Sequence, residues 1–224
     1  MSSTVLQEAK RVVKRYQLDF DSASDSDLTS VLTEHTAPDY LWRGMHPFYE
    51  QVGATAVADV FWLPLRQSFR HLQRREDVFI AGHNDVDGGA TVWVASMGHM
   101  MGLFDEDWLG IPATRKMAFL RYAEFHRVAD GKIAESAFFC DVISIMQQAG
   151  HYPRPPQTGA NFVHPGPRTQ DGILVDPQAP EDAEKTIALV NRMIADLGAL
   201  NVSDAHYCPP ELLAKTWHDD MIWY

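Results

Sequence analysis

The chain is 224 residues long, 46% hydrophobic and 22% charged, ordinary material for a globular protein with a sizeable core. Its formal net charge of -11 and pI near 5.2 repel phosphate backbones and anionic lipid, so neither nucleic acid nor a membrane is an expected partner. Cys140 and Cys208 are too few for a disulfide framework, the N-terminus shows no apolar signal core, and no stretch nears the roughly 18 apolar residues of a membrane helix, so a cytoplasmic setting is expected.

Residues 3–16 set Val5, Leu6, Ala9, Val12 and Val13 among Glu8, Lys10, Arg11, Lys14 and Arg15, one apolar stripe at helical spacing. Asp25 and Asp27 offer caps for a second, short helix through Leu28, Val31 and Leu32, ended before Pro38. Tyr40 to Trp42 reads as a short strand that runs into a turn at His46-Pro47. A further helix begins at Gly53 or Thr55 and carries Val57, Val60, Phe61 and Leu65; Pro64 either kinks it or splits it in two.

Val78 to Ala81 and Thr91 to Met97 flank the turn-rich stretch His83 to Gly89 and predict a hairpin. The Asp85-x-Asp87-Gly88 step has a likeness to a calcium loop, but its first ligand position falls on His83 and its closing glutamate position on Val94. Strand character continues to Phe104, with Gly98 and Gly102 marking a bulge or bend. After a connection over Asp107 to Thr114, Phe119 to Asp141 predicts a long antiparallel hairpin turning at Asp130-Gly131.

Strand period puts Tyr122, Glu124 and His126 on one face of that hairpin and Arg121, Ala123 and Phe125 on the other. Glu124 and Arg121 read as members of outer-face salt bridges, and His126 and Glu135, flanking the turn, as solvated. Because both faces mix polar and apolar residues, helices are expected on one side and an enclosed, mixed cavity on the other. Val142 to Ala149 closes the unit as a short helix ended by Gly150.

The composition then changes. Residues 151–179 form a Pro- and Gly-rich linker, and Pro180 starts an amphipathic helix through Ile187, Val190 and Ile194 that is expected to stop at Gly198. Val31, Leu32, Asp39, Leu41 and Trp42 match Leu212, Leu213, Asp220, Ile222 and Trp223 at a constant offset of 181 residues. This internal similarity makes 180–224 the expected start of a second copy of the module at 1–150.

The order helix, helix, strand, helix and then curved antiparallel strands resembles the α+β cone of the nuclear-transport-factor-2-like superfamily. Within it, Trp42-Arg-Gly-Met-His-Pro, Phe61-Trp-Leu-Pro-Leu, Trp108-Leu-Gly-Ile-Pro-Ala-Thr, Arg127-Val-Ala-Asp-Gly-Lys-Ile and Gln147-Gln-Ala-Gly resemble a SnoaL-like polyketide cyclase over roughly residues 3–150. The resemblance implies a cone-shaped, curved antiparallel sheet packed by the N-terminal helices, here with a C-terminal helical extension. It also implies cofactor-independent ring closure, isomerisation or dehydration of an apolar small molecule by a carboxylate acid/base. The family's His-x-Asp pair after Lys-Ile-x-Glu falls on Ser136 and Phe138, and the position before Gly102 where it has histidine is Met100, next to His99.

With that pair replaced, Asp141 and His46 are the candidate proton carriers, Asp141 also being a good N-cap for the helix that follows it. Arg121 or Tyr122 would hold a developing oxyanion. Trp42, Trp93, Met100, Ser136 and Phe138 would line the substrate-binding wall with them. No His-x-His, Cys-x-x-Cys or His-Glu-x-x-His spacing occurs, so no metal and no cofactor is expected. The alternative reading is a non-catalytic module that binds a small apolar or aromatic ligand or dimerises through its open sheet, as part of a two-module protein; a homodimer is expected in either case.

Overall fold

The apolar stripe of the first helix runs on past residue 16. In the structure, a computed structural model that describes residues 2–155, 163–201 and 210–219, α1 spans Ser2–Ser22. Ala9, Val13, Tyr16 and Phe20 recur every three or four residues along it and are buried. The short helix α2 (Leu28–His35) buries Leu28 and Leu32 and ends where the Thr36 hydroxyl donates to the Leu32 carbonyl oxygen, 2.7 Å away.

Strand β1 (Thr36–Gly44) leads through a turn with a cis His46-Pro47 bond into the short β2 (Glu50–Val52). The next helical segment is one run in three parts: α3 (Ala54–Val57), a π-helical turn (Ala58–Trp62) and α4 (Leu63–Ser68). Pro64 sits in the first turn of α4, where its missing N–H is harmless, so it marks a boundary and not a kink within a turn. The widened turn presents both Phe61 and Trp62 to the core.

Four longer strands complete the sheet: β3 (Phe69–His83), β4 (Val92–Phe104), β5 (Met117–Ala129) and β6 (Lys132–Cys140). β5 and β6 are joined by Asp130-Gly131, both at positive φ. The spatial order is β2-β1-β6-β5-β4-β3. All neighbours are antiparallel except β1 and β6, which run parallel, so the curved, unclosed sheet is mixed and not wholly antiparallel as the sequence suggests. β3 is also much longer than the Val78–Ala81 run, because its polar first half, Arg70 to Asp77, pairs with β4 across two register shifts. Gly98 and Gly102 lie opposite these irregularities on the straighter strand.

The helices lie against one sheet face. Trp42, Phe61, Trp62 and Phe138 pack there with ring centroids 4.7 to 6.1 Å apart. The connection after β4 turns Trp108 inward against Phe48 and Phe69. Helix α5 (Val142–Gln148) follows β6, and its first turn is capped by Asp141.

The chain divides into two compact units, Met1–Asp176 and Pro177–Tyr224. In the second, α6 runs Pro180–Asn201 with Glu181 and Asp182 favourably placed in its first turn. Gly198 lies inside this helix and does not stop it. The Arg192 guanidinium donates to the Lys215 carbonyl oxygen, 3.0 Å away, beyond the short α7 (Pro210–Leu213). Cys208 and the strand expected to hold Trp223 lie outside the described residues.

The β3 irregularity leaves no room above Gly98: a Cβ there would lie 2.0 Å from the Arg75 carbonyl oxygen. Gly98→Ala is expected to lower unfolding free energy by about 2–3 kcal/mol through overpacking. Gly82→Ala, whose methyl would meet nothing within 4 Å, should be neutral or stabilise by under about 1 kcal/mol. Urea midpoints of the two variants test this.

Candidate functional site

Alternation along β5 turns Ala118, Leu120, Tyr122, Glu124 and His126 toward the helices, and all five are buried. Glu124 is 1% exposed and His126 0%. His126 is therefore a core residue and not a solvated one, and Glu124 belongs to the inner face and not to an outer salt bridge. Proximity to a turn did not expose His126, because α1 lies over this end of the hairpin and sets the Tyr16 ring edge-on against the imidazole, centroids 5.6 Å apart.

A carboxylate so placed needs partners: Arg74 of β3 and His126 of its own strand supply them, and α1, β6 and β1 hold groups against those two or their neighbours. From β3, the Arg74 guanidinium donates through Nη1 to Glu124 Oε2, 3.3 Å away. It also lies over the Tyr122 ring at 5.2 Å and 3.6 Å, through Nε, from Asp21 Oδ1 at the end of α1. On the other side, His126 Nε2 is 3.3 Å from the same Glu124 oxygen, a close contact without hydrogen-bond geometry. From β6, Ser136 Oγ lies 2.7 Å from His126 Nδ1, and the Tyr40 hydroxyl of β1 donates to Ser136 at 2.8 Å.

One proton arrangement fits the serine contacts: Ser136 accepts from Tyr40 and donates to Nδ1, in the imidazole tautomer whose N–H is Nε2, facing Glu124. Burial alone would push the Glu124 carboxyl up, yet His126 and Arg74 outweigh it and hold the group below the usual carboxylate range. Burial raises the Tyr16, Tyr40 and Tyr122 phenols and the Asp21 carboxyl. The site thus holds an ionised carboxylate between a guanidinium and an imidazole, with phenols kept protonated around it.

Tyr122 belongs to a second polar cluster alongside. Its hydroxyl meets Ser96 Oγ at 2.9 Å, and Ser96 and Gln17 both donate to Glu76 Oε1, which is also the carboxylate that Lys14 pairs with. Beside Arg74, a crevice of about 10 Å³ is lined by Phe20, Asp21, Arg66, Leu72 and Met100, room for about one water-sized atom. The inner face at this point is packed core in place of the expected enclosed cavity. A wider cleft of about 320 Å³ opens between the start of α1 and the hairpin tip, lined by Val5, Ala9, Val92 and Val128.

The residues singled out in the sequence are dispersed. Trp42, Met100, Tyr122, Ser136 and Phe138 are buried on the inner face, and Ser136 bonds His126 directly. Trp93 and Arg121 are on the outer face, with the Trp93 indole donating to Thr91 at 2.9 Å. His46 is in the exposed turn before β2, 2.7 Å from the Tyr49 hydroxyl. Asp141 accepts from the Ser144 amide at 2.9 Å as the cap of α5. Among the described residues no cluster of His, Cys, Asp or Glu is placed to hold a metal, and no helix is long and apolar enough to cross a membrane.

The profile of the SnoaL-like polyketide cyclase family matches residues 11–149. Among solved structures, a SnoaL-like protein from Jannaschia sp. CCS1 aligns at 20% identity over 66% of this chain and 94% of its own, with a TM-score of 0.50. IdmH from Streptomyces antibioticus, a candidate polyketide cyclase, aligns at 18% identity over 61% of this chain and 97% of its own, TM-score 0.49. An NTF2-like protein from Burkholderia thailandensis aligns at 19% identity over 68% and 99%, TM-score 0.45. No curated protein matches the sequence.

Because Glu124 has a depressed pKa, it contributes stability that is complete above the ordinary carboxylate value of 4.5 and is lost as the pH falls through its lower native value. Arg74→Met removes one of the two groups that oppose burial and leaves His126 as the other. The Glu124 carboxyl should then titrate at higher pH in a ¹³C NMR titration, acid unfolding should begin at higher pH, and stability at neutral pH should fall by about 3–5 kcal/mol.

Proposed function

This chain belongs to the SnoaL-like polyketide cyclase family, and from that premise we propose that it performs cofactor-independent acid/base chemistry on a small apolar molecule, with Glu124 and His126 as the proton-handling pair. The observation that carries this is a register. Ser136 and Phe138 stand where the family's His and Asp are expected, and their cross-strand partners on β5 are His126 and Glu124 respectively. One strand over, on the same inner face and at the same two-residue spacing, the histidine and the carboxylate are both present.

Glu124 is ionised and so free to take a proton, and its lowered pKa makes it a weak base that fits only a strongly acidic C–H, such as one between two carbonyls. The electron pair left behind moves onto the adjoining carbonyl oxygen, where the guanidinium stabilises the charge. In ring closure the enolate carbon attacks an internal carbonyl, the new alkoxide takes the Nε2 proton of His126, and Glu124 returns its proton to the imidazole. No outside oxidant or metal is needed for that balance. A substrate reaches this pair only if Tyr16 of α1 moves away from His126, against which it is packed.

Native mass spectrometry of the purified protein for a co-purified apolar molecule, followed by its conversion, tests the reading directly. Enzyme-dependent deuterium uptake from D₂O into aryl 3-oxoesters gives a probe that needs no known substrate. Glu124→Gln is expected to lower uptake by at least about 100-fold with an unchanged near-ultraviolet dichroism spectrum, while Asp141→Asn and His46→Ala keep it. Loss in the latter two with retention in Glu124→Gln would move the chemistry to the far end of the hairpin.

A further inference from the structure

Residues 163–176 are seated on the sheet by a contact set separate from the inner-face site. On the outer face, the His164 backbone N–H donates to His99 Nε2, 3.2 Å away, and the two rings lie parallel with centroids 6.3 Å apart. His99 is only 4% exposed, and its Nδ1 is 3.5 Å from Asp77 Oδ2. Asp77 is the extra residue of β3 between the Glu76–Gly98 and Val78–Met97 pairs.

The segment then rounds the edge of β3. The Phe79 amide donates to the Gly172 carbonyl and the Leu174 amide to the Phe79 carbonyl, both at 2.8 Å, forming a parallel bridge at Ile173. A Cβ on Gly172 would lie 2.4 Å from the Asp77 carbonyl oxygen, so only glycine permits this approach. Beyond it, Lys10 Nζ donates to the Asp176 carbonyl at 3.4 Å.

We infer that residues 163–176 form a pH-sensitive clasp, held while His99 Nε2 is free to accept a hydrogen bond and released when that nitrogen is protonated. A backbone N–H has no proton to withdraw, so a protonated Nε2 sets donor against donor. The groups facing His99 come from every side. Asp77 on β3 favours the cation; Arg75, its register partner on β3, Arg121 opposite it on β5 and His164 on the clasp are the cations or potential cations around it. Burial, helped by His164 and Arg121 and opposed by Asp77, holds the seated imidazole below 6.5. A depressed pKa in the seated state means that the clasp's contribution is complete above 6.5 and is lost as the pH falls through the lower seated value. Release leaves the Phe79 amide and carbonyl on the edge of β3 facing solvent, open to pairing with another strand.

Amide hydrogen exchange on the full chain, corrected for intrinsic rates, tests the clasp at Phe79 and Leu174 between about pH 7.5 and pH 5. Protection at both amides is expected to fall at least tenfold across that range while Tyr122 stays protected. His99→Gln, which offers a carbonyl acceptor that does not titrate, should keep both amides protected throughout. An unchanged wild-type profile, or the same pH-dependent loss in His99→Gln, overturns the proposal. Should the variant fail to seat the segment, the ¹⁵N titration of His99 in the wild type decides: its midpoint coincides with the loss of protection if the clasp is real, and a different midpoint overturns it.

Discussion

A carboxylate with 1% of its surface exposed is stable in a protein interior only when surrounding elements replace the water it has lost. Glu124 imposes that demand on the first unit. β3 has to extend far enough for Arg74 to reach it, α1 has to run past residue 20 to bring Asp21 to the same guanidinium, and β6 and β1 have to hold Ser136 and Tyr40 against His126. The aromatic cluster around Trp42, Phe61 and Phe138 gives this polar chain a rigid floor. The net stability of such a pair is modest, because desolvation offsets most of its attraction; its larger effect is to set where each strand and helix must lie.

The apolar periodicities carried the architecture. α1, the β5–β6 hairpin with its Asp130-Gly131 turn, the helix around Phe61 and the final capped helix all follow from residue spacing, since each buries one face and its sequence shows it. The parallel β1–β6 pair was not legible, because alternation says which way a side chain points and nothing about which neighbour a strand finds. The first half of β3 is hidden in the sequence for another reason. Arg70-His-Leu-Gln-Arg-Arg-Glu looks like a solvated run, and only the carboxylate deep in the sheet makes sense of an arginine there.

The site was half legible. Strand period alone places Tyr122, Glu124 and His126 on one face, and that grouping is correct. Their burial does not follow from position along the hairpin, because the amphipathic helix α1 covers that end of it. Two polar residues alternating with Tyr122 on a strand whose next inward residue is Leu120 form a signal of a buried network. A polar residue meant for solvent has no need to share a face with such neighbours. His46 and Asp141 drew attention through their local chemistry, a residue before proline and a cap. Those are the roles in which their contacts hold them.

Antiparallel pairing sets His126 and Glu124 directly opposite Ser136 and Phe138, the positions at which the family resemblance expects a histidine and a carboxylate. Directly opposed residues keep their side chains on the same face with Cβ atoms about 5 Å apart, so a shift from β6 to β5 moves a functional group by about one strand spacing, roughly 4.8 Å. It preserves the two-residue separation that sets imidazole against carboxylate. Ser136 accepts from Tyr40 and lies 2.7 Å from the imidazole that faces it. Phe138 stacks parallel to the Tyr122 ring with centroids 6.2 Å apart and joins the aromatic floor. Followed along one strand, these positions hold serine and phenylalanine; followed across the face, a histidine and a carboxylate stand on the neighbouring strand.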